Sequence, residues 1–510
     1  QSGVPAMSAV LMPNGNVVFI DKVENYTQLT LANGRYAYSA EYDVKTNTPR
    51  PLSYKTNAFC SGGAFLADGR MLSVGGNGPL EMDPTVGDGF RALRYLKGSL
   101  DKNDSAQDGW DEPGHLLDTA RWYASVQTLQ DKRVLVASGS INGLDPLKRE
   151  NNNPTYEILD ENGRPATSSI SLPILEKNQP YYMYPFIHLL KDGNIFIFVA
   201  RSADIYDVTR QSTIQNLPDL PGDYRTYPNT GGSVLLPLTS ENGWEPDVMV
   251  CGGGAYQDIN SPTDPTCGRI RPLAQEPTWD LERMPDGRGM IEGTILPDGK
   301  LLWLNGCRVG AQGFGLAKEP ILDAWMYDPE QPRGSRWTIA GTSKIPRMYH
   351  SVALLLLDGT VMVTGSNPVE QPVLESDPSN PATAYVTDFR VEIYTPPYLI
   401  GDNLFKRPKD IWISRKDLAA DGSNFVISFT VPEGAKSLKI ALYHGGFVTH
   451  SVHMSHRMVY LDSEGFLPGL QHQAVKVTMP PSTSIAPPGP YVVYVVVDGV
   501  PGIGQFVMVT

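Results

Sequence analysis

Along most of the chain one pattern of apolar and polar positions returns. A short apolar run meets a polar turn built on Asp-Gly, Asn-Gly or a relative, and a second apolar run follows and ends near glycine. It reads AVLMPNGNVVFI from Ala9, AFLADGRMLSVGG from Ala64, VQTLQDKRVLVASG from Val126 and IHLLKDGNIFIFVA from Ile187. A stretched copy, SVLLPLTSENGWEPDVMVCGGG, starts at Ser233; TILPDGKLLWLNG and ALLLLDGTVMVTG follow from Thr294 and Ala353. Two apolar runs joined by residues that accept positive φ predict a β-hairpin. Marked by the second turn residue (Gly15, Gly69, Lys132, Gly193, Gly243, Gly299, Gly359), the copies lie 50 to 63 residues apart. A unit of that length holds four short strands, the size of one propeller blade. Seven copies predict an all-β fold led by a seven-bladed, kelch-like β-propeller over residues 1–395. A β-sandwich with coincidental hairpins does not account for the regular spacing.

After Val391 the rhythm stops. EIYTPPYLIG, from Glu392, reads as an exit linker because its prolines break pairing. Beyond it FVISFTV, LKIALYH, AVKVTM and YVVYVVV alternate with Pro/Gly turns. This predicts a C-terminal Ig-like β-sandwich over residues 396–510. Helix signals are weak throughout.

Composition narrows the function classes. The 510 residues carry a net charge of −13, against a nucleic-acid partner or an anionic membrane surface. The longest apolar stretch, Ser351 to Val363, is interrupted by Asp358 and is too short to span a bilayer. Gln1 opens directly into strand-like sequence, as a chain would after removal of a leader. With the sequons at Asn25 and Asn103, this makes a secreted, extracellular glycoprotein the expectation. Of four cysteines, Cys251 and Cys267 flank a Gly/Pro/Asp-rich loop that one disulfide could close. Cys307 reads as a small buried hydrophobe.

The repeats also place candidate chemistry. Nine residues before each marker stand Ala6, Cys60, Tyr123, Tyr184, Met290 and His350, with the stretched copy unmatched. Equivalent positions in successive blades form a ring about the propeller axis, so Cys60, Tyr123 and His350 should converge, with Tyr349 able to join. No carboxylate pair stands there for glycosidase chemistry. Cysteine beside histidine suits a nucleophile and base; phenols beside imidazole suit copper; plain aromatic packing is the bland alternative. Five of the eight histidines lie after residue 440, four of them in HGGFVTHSVHMSH. A hairpin there could insert one of His444, His450, His453 or His456 into the channel; spacing does not say which, and the others are expected to be solvated. His188 reads as structural, and His115 and His472 have no evident partner.

NAFCSGGAFLADGR, ARWYASVQTLQD, PRMYHSVALLLLDG and GFVTHSVH, in this order, resemble the motifs of the copper radical oxidases, and most closely the glyoxal oxidases. The resemblance spans nearly the whole chain, without the sugar-binding domain that precedes the propeller in galactose oxidase. It implies one copper ion and a Cys60–Tyr123 thioether whose tyrosine both binds copper and holds a radical. It implies His350 and His450 as equatorial ligands and Tyr349 as axial ligand and base. The implied reaction oxidises small aldehydes or α-hydroxycarbonyls to acids and reduces dioxygen to hydrogen peroxide, which a partner enzyme would consume. The chain is expected to act as a monomer. Tyr184 and Trp122 are candidate pocket residues, Trp122 also as a shield for the radical. An alcohol or galactose oxidase with the same site and a non-catalytic kelch scaffold are the alternative readings.

Overall fold

A computed structural model describes residues 1–98, 100, 108–143 and 145–510, so the sequon at Asn103 lies outside the described residues. The seven repeats form seven blades whose first two strands are Ser8–Leu11/Val17–Ile20, Gly62–Phe65/Met71–Val74, Ser125–Thr128/Val134–Ala137, Phe186–Leu189/Ile195–Val199, Gly232–Leu235/Val248–Cys251, Glu292–Ile295/Leu301–Leu304 and Val352–Leu355/Val361–Thr364. All seven marker residues take positive φ, from 66° at Gly243 to 97° at Gly299. The connecting loops are longer than a two-residue hairpin: in blade one the Met12 N–H donates to Asn16 O, five residues closing one turn. The Asp or Asn before the marker accepts the N–H two positions on, as Asp68 does from Arg70 and Asp298 from Lys300. That Asx geometry explains why the turn recurs with those residues.

The blades depart from four uniform strands. Among the described residues, blades two and seven have three, and blade six carries an inserted hairpin, Cys307–Gly310/Ala317–Pro320. Blade one is extended to six strands by a hairpin from the C-terminal domain, Phe447–Thr449/Val452–Met454. Thr449 and Val448 pair with Ser8 and Ala9. From there the hairpin runs along the axis and packs on the inner strands of all seven blades, meeting blade six through His453 and Glu292. Its burial is complete, Phe447 and Val448 being at most 2% exposed, so the apolar effect fixes it in the channel.

The C-terminal domain is one nine-stranded sheet that curls on itself. Arg457–Glu464 makes the corner: residues 457–461 pair with Leu438–His444, and 462–464 pair with His472–Thr478. A disulfide joins Cys251 to Cys267 across neighbouring strands of blade five, and Cys307 is a buried free thiol. Within blades two, three, five, six and seven, buried arginines clamp carbonyls at the ends of second strands: Arg94 on Gly75, Arg121 on Ser138, Arg225 on Gly252, Arg288 on Asn305 and Arg347 on Gly365.

Candidate metal centre

Each inner strand is preceded by two residues of loop, and the ring position is the first of these. Cys60, Tyr123, Tyr184, Met290 and His350 all adopt positive φ, between 46° and 70°. For side chains with a Cβ this backbone costs about 1 kcal/mol or more apiece, so surrounding contacts must hold it. Some are visible: Tyr123 N–H donates to Cys60 O, Tyr184 N–H to Tyr123 O, and Met290 N–H to Thr230 O. Thr230 thus occupies the position that counting back from the marker could not supply, because the blade-five turn is lengthened.

These loops converge at one end of the channel, where the turn of the inserted hairpin also arrives. His450 and Ser451 form that turn with φ of 50° and 66°. His350 Nε2 and His450 Nε2 lie 3.1 Å apart, and Cys60 Sγ is 3.2 Å from the second and 4.0 Å from the first. Tyr123 Oη is 3.1 Å from Tyr349 Oη. All five residues are at most 2% exposed.

Hydrogen bonding defines which nitrogens are free. His350 Nδ1 faces the Asn367 carbonyl at 3.2 Å, so it carries the proton and donates. Ser8 donates to Thr449 Oγ1 and Thr449 donates to Met7 O, which leaves Oγ1 to accept from His450 Nδ1 at 2.6 Å. Both Nε2 lone pairs therefore point into the same space with no hydrogen between them. Burial holds both rings neutral: His450 is pushed down to about 3, and His350 well below the usual imidazole value, with neighbouring His450 and the Lys22 charge adding to burial. Burial likewise pushes the Cys60 thiol and the Tyr123 and Tyr349 phenols well up. Neutral imidazoles converging beside a thiol and phenols, with their lone pairs opposed, are a donor set that a cation accepting N and O ligands satisfies. Cys60, His350 and His450 form the one group of three such ligands among the described residues.

The structure places the remaining predicted residues as follows. Tyr184 is fully buried; its ring lies 4.9 Å from His450 and 5.2 Å from Tyr123, and its hydroxyl donates to Ser61 O. Trp122 packs 4.9 Å from the Tyr123 ring and 5.4 Å from Phe59. Asn25 is exposed. The expectation that three of the clustered histidines are solvated is incorrect: His444, His453 and His456 are all buried, because this stretch enters the channel and returns under the C-terminal sheet. His453 Nε2 meets Glu292 Oε1 at 2.5 Å, His456 Nε2 meets Tyr443 Oη at 2.9 Å, and His444 donates to Pro490 O. His188 is buried against Ser233, as a structural histidine would be.

Tyr227 was not among the candidates, yet its ring lies 4.3 Å from Tyr123 and its hydroxyl donates to Tyr123 Oη at 3.3 Å. A sequence signal for it exists. Arg-x-Tyr occurs at Arg121–Tyr123, Arg225–Tyr227 and Arg347–Tyr349. In each case the arginine is a carbonyl clamp and the tyrosine enters the site. Phe314, at the tip of the blade-six insertion, covers Tyr349 and His350 at 5.8 and 6.0 Å and stacks on Phe59. Gln312 on the same tip donates to His450 O and accepts from Thr230.

Comparison with known proteins finds relatives along nearly the whole chain. The family described as glyoxal oxidase N-terminus matches residues 7–398, and the galactose oxidase-like early set domain matches residues 407–509. An aldehyde oxidase GLOX of Vitis pseudoreticulata is 33% identical over 98% of this chain and 90% of its own. Aldehyde oxidase GLOX1 of Arabidopsis thaliana is 30% identical, covering 100% of this chain and 83% of its own. A fungal alcohol oxidase of the AA5 family, solved with copper, superposes with a TM-score of 0.76 at 20% identity, covering 100% of this chain and 98% of that one; this likeness concerns the fold. With family matches along nearly all its length, the chain belongs to the glyoxal oxidase family of copper radical oxidases.

Proposed function

We propose that the protein oxidises small aldehydes, as their hydrates, and α-hydroxycarbonyls to carboxylic acids, while dioxygen becomes hydrogen peroxide. The observation that carries this reading is the convergence of two Nε2 lone pairs with Cys60, Tyr123 and Tyr349 in one buried space. His350, His450, Tyr123 and Tyr349 would hold copper, which supplies one-electron exchange with the Tyr123 phenol and with dioxygen. Cys60 would form a thioether to the Tyr123 ring: one S–C bond replaces an S–H and a C–H, and two hydrogens leave to dioxygen. Sulfur conjugated with the ring makes that phenol easier to oxidise. Tyr349 Oη accepts the substrate hydroxyl proton; its burial disfavours a free anion, so a neighbouring cation must stabilise it. Tyr123 Oη receives the hydrogen borne by the substrate carbon. Phe59, Phe314 and Trp122 wall the site with aromatic rings and limit water.

A panel of glyoxal, methylglyoxal, galactose and benzyl alcohol, read out as peroxide from copper-loaded protein, tests the substrate class. The aldehydes should turn over at least about tenfold faster than either alcohol; faster oxidation of galactose or benzyl alcohol would make this an alcohol oxidase. Work outside the cell and glycosylation at Asn25 belong to the same proposal, supported by the Cys251–Cys267 disulfide and by the exposure of Asn25.

A further inference from the structure

Blade one departs from the repeat beside the site, as blades four and seven also do with Arg201 and Ser366. Two residues past the second strand, blades two, three, five and six carry Gly76, Gly139, Gly253 and Gly306. At three of these a Cβ would stand 2.0 to 2.2 Å from a backbone carbonyl oxygen, namely Asn57, Tyr224 or Gly289. Blade one has Lys22 at this step, 2% exposed, with Asp21 before it and Glu24 two residues on, both buried. Exchanging buried ion pairs for well-packed apolar groups is often neutral or stabilising, so their presence here is not explained by stability alone.

Their partners point to the metal centre. Lys22 pairs with Glu24 Oε1, and its ammonium lies 5.7 Å from the centre of the Phe314 ring. Burial lowers Lys22 to about 8, which leaves it charged at neutral pH. Glu24 Oε1 also accepts from Asn367 Nδ2 at 2.6 Å, and Asn367 Oδ1 accepts from Thr387 at 2.8 Å. With its side chain gripped at both ends, Asn367 uses its backbone twice: its N–H donates to Tyr349 O at 3.0 Å, and its carbonyl accepts from His350 Nδ1. One asparagine thus holds both neighbouring candidate ligands, and a buried carboxylate neutralised by lysine holds the asparagine.

We propose that Glu24, supported by Lys22, is a positioning residue that fixes Asn367 and through it the joint orientation of Tyr349 and His350 toward copper. The inference rests on the reading of this site as a copper centre. Groups that orient a metal ligand typically contribute 10- to 100-fold to affinity, and an effect of about tenfold is expected here, because Glu24 acts through Asn367.

The experiment compares two charge-free double variants, which avoid leaving a lone buried charge. Lys22→Met/Glu24→Gln keeps an acceptor for Asn367 Nδ2; Lys22→Met/Glu24→Leu removes it. Each full-length protein is titrated with copper against a chelator, the copper(II) EPR spectrum is recorded, and thermal unfolding is followed without metal. The Leu variant should bind copper about tenfold more weakly with altered hyperfine coupling, and the Gln variant should match the wild type in both. Wild-type affinity and spectrum in the Leu variant would overturn the proposal. Equal losses in both would overturn it too, since charge rather than the hydrogen bond would then be responsible. A purely packing role would lower the melting temperature without moving the spectrum. Failure of the wild type itself to bind copper would instead remove the copper reading.

Discussion

The segment from His444 to His456 enters two clusters of buried imidazoles that differ in one respect. At the turn, His450 faces His350 and Cys60 with an unprotonated nitrogen, and the available neighbours are phenols and a thiol. Lower in the channel, His453 faces the Glu292 carboxylate and His456 faces the Tyr443 hydroxyl. In the lower cluster each imidazole has one protein partner, while His444 Nε2, His453 Nδ1, His456 Nδ1 and Glu292 Oε2 are buried without one. The upper one directs lone pairs at each other and requires a cation. The same His-x2-His spacing therefore yields a ligand and a structural anchor, and the facing residues decide which.

The largest effect that would break this contrast comes from exchanging the two roles. His450→Ala should weaken copper binding at least about 100-fold in chelator competition. His453→Ala should leave affinity within about threefold yet lower stability by about 1–3 kcal/mol, the cost of leaving a buried Glu292 oxygen without its hydrogen-bond partner. Copper loss in His453→Ala with normal binding in His450→Ala would invert the assignment.

Next in size is Cys60→Ser. Reduced, copper-treated wild-type protein should yield the Cys60 and Tyr123 peptides joined and two hydrogens lighter than their sum. The variant should bind copper but give separate peptides and lose most oxidase activity. Full turnover by the variant would dispose of the radical role for Tyr123.

Acid should sharpen the comparison because burial disfavours the charged form of imidazoles in both parts of the channel. Burial lowers His450 and His188 to about 3 and His444 to about 4. An unfolded chain takes up these protons near pH 6.5, whereas the folded chain does not until lower pH. Their contribution is thus complete above about pH 6.5 and is lost as pH falls toward 3–4. The metal-free melting temperature should drop across that window, and His188→Gln should flatten the decline. A flat profile in the wild type would show that these rings are protonated in the fold.

The smallest effect expected is from Tyr227→Phe. It removes one hydroxyl from Tyr123 and should change turnover by only a few fold, with copper affinity and cross-linking intact. Abolished cross-linking would place Tyr227 among the cofactor-forming groups.

What the sequence revealed follows from what repeats express. Asp-Gly turns recur because each blade needs positive φ at the same step, so Gly15 through Gly359 disclose the blades and, by counting back, Cys60, Tyr123 and His350. The register breaks in blade five, where a longer turn displaces Thr230, and Tyr227 lies three residues before the ring position. The burial of His453 and His456 was also hidden, since their environment comes from Glu292 and Tyr443, remote in the chain. Asn367 was least visible: it acts through its backbone N–H and carbonyl, which no residue type advertises.

The pairing of Thr449 and Val448 with Ser8 and Ala9 has a consequence for biosynthesis. A nascent chain that has released all seven blades from the ribosome still has an unfilled axis, and the imidazole of His450 has yet to emerge. Any redox chemistry proposed for Tyr123 would thereby be deferred until translation has passed the hairpin. The inner strand of blade one acquires its inner neighbour only then, so completion of the propeller hub and assembly of the candidate metal centre become a single, late event.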